Sequence, residues 1–213
     1  MFDVILVTAG IGLLFGVLNL RRLARLEAAG WSDGAALTRA LLHPARFRES
    51  LYLEYAQNSM ALAVPLTAAF TALFRADPIL IDGIRIVTSC VVASAGIAWF
   101  TIALGAPEAA GILASIVLLA SNLANQGYYL RAAVGTSALH GQIAPAFGVL
   151  LLAAFLDDQW SAAFLGAGLL LAYHPIHGLI VTLIISGYVM THWNVVGASR
   201  AVQLFGWWAV GIL

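Results

Sequence analysis

Seven apolar stretches divide the chain, at about 4–20, 51–74, 84–104, 109–130, 139–156, 160–190 and 201–213. Most of them approach or exceed the ~20 residues that a helix needs to cross a ~30 Å hydrocarbon layer. Only 9% of the 213 residues are charged and 62% are hydrophobic, whereas an ordinary soluble domain carries ~25% charged residues. Such a chain cannot cover a water-facing surface. The expectation is an all-α, polytopic transmembrane helical bundle of about seven spans. It forms a single integral membrane domain over 1–213, placed in a bacterial inner membrane. The sixth stretch is long for one span, so it is either one tilted helix bent near Pro175 or two shorter pieces.

The ten basic residues are all arginine. Without lysine, no Schiff-base chemistry is open to the chain, and no basic patch argues for nucleic acid. The single cysteine, Cys90, allows neither an intrachain disulfide nor a multi-cysteine metal site. The N-terminus shows neither the charged region nor the cleavage site of a secretory signal, so the first apolar segment is expected to be retained. Six of the ten arginines fall within 21–49, where Leu23, Leu26, Leu37, Leu41 and Leu42 recur at roughly helical spacing. This predicts an interfacial amphipathic segment at 21–49, with arginines toward lipid phosphates; a solvated connector is the plainer alternative. Arginine-rich loops remain cytoplasmic, which puts 21–49 inside and the N-terminus outside.

Polar groups inside apolar stretches are the candidates for function, because they are costly there unless paired or used. Glu54, Gln57 and Asn58 share one helix face at i, i+3 and i+4. They face headgroups near a span end, or Glu54 handles protons. Ser121, Asn122, Asn125 and Gln126 cluster in the fourth stretch. Amides cannot carry charge and bond well across helices, so interhelical glue is the leading reading and a polar substrate pocket its rival. In "AYHPIHGLIV", His174 and His177 flank Pro175. A metal site needs about four ligands, and a haem needs a facing axial ligand. Neither His140 nor His192 brings companion carboxylates at useful spacing. Three roles stay open for the pair: polar packing between helices or onto a partner chain, proton relay, and metal or haem ligation. No phosphate loop, nucleophile–base motif or paired-carboxylate site is present.

Three stretches in order resemble subunit III of the haem–copper terminal oxidases. "VTSCVVASAGIAWF" is similar to that family's first core helix, "ASIVLLASNLANQGYYLRAA" to its Leu-rich helix, and "AYHPIHGLIV" to its His-x-x-His helix. The resemblance covers roughly 84–213, and two helices ahead of a five-helix core suit the family's seven-helix form. Residue by residue it carries over only His174, His177 and the neighbourhood of Ser89. Cys90 stands where the family has a buried glutamate, and "LFGWWAVGIL" lacks the final helix's Trp-His-x-x-Asp pattern. The resemblance implies a non-catalytic subunit with no cofactor or metal of its own. It would pack against a haem-bearing catalytic subunit, hold phospholipid in a cleft, and bind no nucleic acid. The alternatives are a small-molecule transporter or channel with a polar site near the broken sixth span, and an intramembrane enzyme acting on a lipid or terpenoid through Glu54 and the histidines.

Overall fold

A computed structural model describes residues 1–28, 33–58, 62–124 and 143–213. Among the described residues there is no strand, and eleven α-helices and one 3-10 turn make up nearly all of the structure. The helices are α1 (Phe2–Ala28), α2 (Asp33–Leu42), α3 (Leu51–Asn58), α4 (Ala63–Phe74), α5 (Pro78–Ala103), α6 (Glu108–Ala124), α7 (Ile143–Leu156), α8 (Trp160–Tyr173), α9 (Pro175–Thr191), α10 (Trp193–Val196) and α11 (Ala198–Ile212). The 3-10 turn, Pro44–Arg46, follows α2.

The fold is organised on α5. Its start is set by local chemistry: Asp77 is extended and its carboxylate accepts the Ile79 N–H at 2.9 Å, while Pro78 occupies the first helical position, where a missing N–H costs nothing. From there 26 residues run uninterrupted, about 39 Å at 1.5 Å each. Among the described residues, α1 and α5 are the two helices long and apolar enough to cross a membrane.

Around α5 the neighbours approach closely because small residues line the contacts. An added Cβ at Gly12 would stand 2.6 Å from the Cys90 carbonyl oxygen, and one at Gly16 would stand 2.8 Å from Val87 Cα. Helix α1 therefore lies antiparallel on α5, backbone against backbone. Two hydroxyls tie the layer together: Ser94 Oγ donates to the Thr8 carbonyl and Ser115 Oγ of α6 to the Ser94 carbonyl, each at 2.7 Å. On the other flank α5 meets α7 where Gly96 faces Leu150. Beyond α7 stand α8, α9 and α11, packed round Phe164, Ile185, Val189 and Leu204. Trp208 of α11 donates its indole N–H to Thr182 of α9 at 3.1 Å.

One stretch departs from its expected span, and another takes one of its two expected forms. The stretch 51–74 holds α3 and α4, of 8 and 12 residues, instead of one long helix. The stretch 160–190 is an antiparallel hairpin of α8 and α9. Its register is fixed by Trp160 against Tyr188, rings 5.9 Å apart, at the open end, and by Gly178 against Leu171 at the turn. Residues 21–28 prolong α1, and α2 is packed among α3, α4 and α5 with Ala35 and Ala40 wholly buried.

Helix α4 ends in a Schellman motif. Ala76 N–H reaches the Thr71 carbonyl and Arg75 N–H the Ala72 carbonyl, and Arg75 takes the left-handed position with φ of 49°. Glycine is the usual occupant there, and a side chain in that conformation costs about 1 kcal/mol.

The contact of α1 with α5 leads to a test. Replacing Gly12 with leucine overpacks the seam and lowers stability by roughly 1–3 kcal/mol. The same change at Gly10, whose Cβ would meet nothing within 4 Å, leaves thermal unfolding near wild type.

Candidate functional site at the helix break

The α8–α9 hairpin turns on one residue. The residue before a proline is driven out of the helical region, and His174 has φ −146° and ψ 95°. Its N–H closes α8 by donating to the Leu170 carbonyl at 2.8 Å, and its carbonyl opens α9 by accepting from Gly178 at 3.0 Å. Pro175 is therefore the first residue of a new helix, and not an obstruction inside an old one. Glycine at 178 is obligatory for so tight a turn, since a Cβ would stand 2.1 Å from Leu171 Cα.

With the backbone of His174 engaged in both helices, its imidazole is left for a neighbour. His177 Nδ1 lies 3.0 Å from His174 Nδ1, with ring centroids 4.6 Å apart. One nitrogen must carry the hydrogen and the other accept it, so the pair shares a proton in one of two complementary arrangements. Two nitrogens supply half of a tetrahedral metal site at most. Among the described residues no group of three or more His, Cys, Asp or Glu gathers at one point. His192 lies at the hairpin's open end, stacked on Tyr188 at 4.1 Å, and His140 lies outside the described residues.

A proline after α8 would be expected to leave a carbonyl near Leu171 for an imidazole to satisfy. At the next residue a backbone amide is the donor: Leu62 N–H reaches the Ala172 carbonyl at 3.2 Å. The interruption before α4 thus meets the interruption between α8 and α9. Helix ends leave orphan carbonyls, and here a second broken segment supplies the hydrogen.

Beside this junction lies a charged pair. Arg85 donates to Asp82 within α5, with side-chain exposures of 6% and 0%, and Tyr173 at the end of α8 is within electrostatic reach of both. Desolvating two charges costs several kcal/mol per ion, which pairing offsets only when the geometry is good. The third apolar stretch, taken as about 84–104, leaves Asp82 outside it and Arg85 at its edge, and neither was among the candidates. The missed signal is "DPILIDGIRIV", an Asp-Pro helix start followed by an i, i+3 acid–base pair flanked by apolar residues.

The other candidates are placed elsewhere. Glu54, Gln57 and Asn58 are exposed on α3, which packs on α2. Asn58 uses its amide locally, donating to the Glu54 carbonyl at 2.9 Å. The side chain of Asn122 and the whole of Asn125 and Gln126 lie outside the described residues. Where glue between helices is seen, hydroxyls and an indole supply it. Cys90 is buried with the Asn19 amide 4.0 Å from its sulfur.

No family model, no curated protein and no solved structure matches the chain. The functional reading therefore rests on the geometry and on the sequence.

Removing one member of the buried pair leaves the other charge in apolar surroundings. Asp82→Leu or Arg85→Met alone should cost about 3–5 kcal/mol. The double replacement Asp82→Leu with Arg85→Met should cost clearly less than the sum. Thermal unfolding of the four proteins measures this, and strictly additive losses would contradict it.

Proposed function

We propose that the chain is an integral membrane bundle serving as a non-catalytic subunit of a larger membrane complex. The observation that carries this reading is the outer surface. Ile176, Leu179, Ile180, Leu183, Ile184 and Met190 are all exposed along α9, and Val202, Trp207 and Val210 along α11. Leu6, Leu13, Leu14 and Val17 do the same on α1. Contiguous apolar patches of this extent are rare on soluble monomers, and hydrocarbon or a partner's helices would cover them.

Charge gives such a bundle a direction. Arg39, Arg46, Arg48, Arg75 and Arg85 gather at the end that holds the start of α5 and the hairpin turn. The opposite end has Asp3, Glu108, Asp157 and Asp158, against Arg200 alone among the described arginines. The N-terminal ammonium pairs with Glu108 there, and Arg200 lies over the Trp160 ring at 4.4 Å. The arginine excess supports a cytoplasmic side for the first end, and Trp160 and Tyr188 suit the opposite interface.

The resemblance to oxidase subunit III makes a haem-bearing subunit the expected partner. A groove of about 420 Å³ between α7 and α8, lined by Phe147, Leu151, Leu169 and Tyr173, suits a lipid chain. In this reading the histidine pair has a packing role, fixing the hairpin turn. One observation favours a second reading, a small-molecule transporter. Two helix interruptions meet beside a buried ion pair, and discontinuous helices are a common way for transporters to build a substrate site. The lipid-modifying enzyme is less well served, because Glu54 is exposed on α3.

Purification in mild detergent separates the first two readings. A subunit co-purifies with a partner whose absorption spectrum has a Soret band. A chain that emerges alone, and whose melting temperature rises with a small polar solute, is the transporter instead.

A further inference from the structure

At the basic end, α2, the 3-10 turn and the junction of α4 with α5 enclose a cleft of about 720 Å³. Its lining is unusual for a chain so poor in charge: Arg39, His43, Arg46 and Arg75 all face it, above an apolar floor that includes Leu42 and Phe47. An acid, Asp77, lies 3.8 Å from Arg39 and also accepts the Ile79 N–H. Arg46 and Arg75 have no ion pair among the described residues. Arg75 holds its place in a left-handed conformation that glycine would take without strain, and strained residues of this kind concentrate at functional sites.

We propose that this cleft binds the phosphate of an anionic membrane lipid. Three guanidiniums converging on one cavity match phosphate chemistry, since each presents a planar fork of donors to the oxygens. A lipid fits the cleft better than free phosphate because the floor is apolar. The adjacent outer face of α4 exposes Phe70, Leu73 and Phe74, a surface on which acyl chains would lie. The site lies outside 84–213, the part of the chain that resembles the oxidase subunit. It deepens the proposed function and rests only on the chain's being embedded in a bilayer.

The test uses the full-length protein, purified in neutral detergent. Phosphatidylglycerol, phosphatidylcholine with the same acyl chains, and inorganic phosphate are titrated in turn while the melting temperature is followed. Wild type should be stabilised by phosphatidylglycerol and little affected by the other two. Arg75→Gly removes the guanidinium and suits the left-handed backbone, so it should fold at least as well. Its apparent affinity for phosphatidylglycerol should nevertheless fall about fivefold, as should that of Arg46→Gln, in line with ~1 kcal/mol for each arginine near an anionic surface. Arg200→Gln, at the opposite end, should leave the affinity unchanged. Equal stabilisation by the two lipids, or full retention of the response in both Arg75→Gly and Arg46→Gln, overturns the proposal. An inorganic phosphate response equal to that of phosphatidylglycerol overturns the lipid as the source. A chain that stays soluble and monodisperse without detergent would instead overturn the membrane reading itself.

Discussion

Pro175 forces the backbone before it out of the helix, and much of the arrangement at the basic end depends on that. His174 terminates one helix and starts the next through its own N–H and carbonyl, so the chain reverses with no loop between them. Because Gly178 has no side chain, α9 folds back directly on the last turn of α8. The reversal carries Tyr173 to the neighbourhood of Asp82 and Arg85 and presents the Ala172 carbonyl to Leu62. A continuous helix over the same residues would spend that carbonyl internally, and the two interruptions would have no bond between them.

The bundle shows two ways of dealing with polarity where apolar contacts predominate. Along α1, α5 and α6 the hydroxyls of Ser94 and Ser115 each reach a carbonyl on a neighbouring helix, which links the layers without burying charge. In the second turn of α5 the opposite choice is made, with a full ion pair enclosed. Replacing a buried pair with apolar residues is often neutral or stabilising, so fold stability alone gives little reason to keep one. Its place in that end is beside the hairpin turn, as a fixed charge pair within electrostatic reach of Tyr173.

Much of this was legible in the sequence, and the failures have identifiable causes. The all-helical class followed from the length of the apolar runs. The special character of "YHPIHG" followed from a proline between two histidines, and the two-piece alternative for 160–190 is the one found. Apolarity alone cannot mark a hairpin, however, because α8 and α9 are both apolar and no polar loop separates them. The break between α3 and α4 did carry a signal, the polar run through Glu54, Gln57, Asn58 and Ser59, but it was read as one polar face of a continuous span. Asp82 and Arg85 were missed because they straddle the start taken for the third stretch, at about 84, so that the i, i+3 pair was not seen as one unit on a helix starting at Pro78. Glu54 drew attention as an acid in an apolar stretch, but the short α3 leaves it exposed. The cleft at Arg39, Arg46 and Arg75 joins residues up to 36 positions apart, and only the packing of α2 on α4 and α5 brings them to one place.

The hairpin is the central claim, and a distance measurement tests it most directly. With Cys90 replaced by alanine, spin labels are attached at Ser161→Cys and Thr191→Cys, both exposed positions on α8 and α9, and their separation is read by pulsed electron resonance. The antiparallel pair brings these positions to the same end of the bundle, so the labels should lie within about 20 Å, allowing for a helix spacing of 8–10 Å plus the label arms. One continuous helix over the same 30 steps would hold them about 45 Å apart at 1.5 Å per residue. A distribution centred near that longer distance would contradict the hairpin, and with it the junction at Ala172 and the placing of Tyr173 beside the buried ion pair.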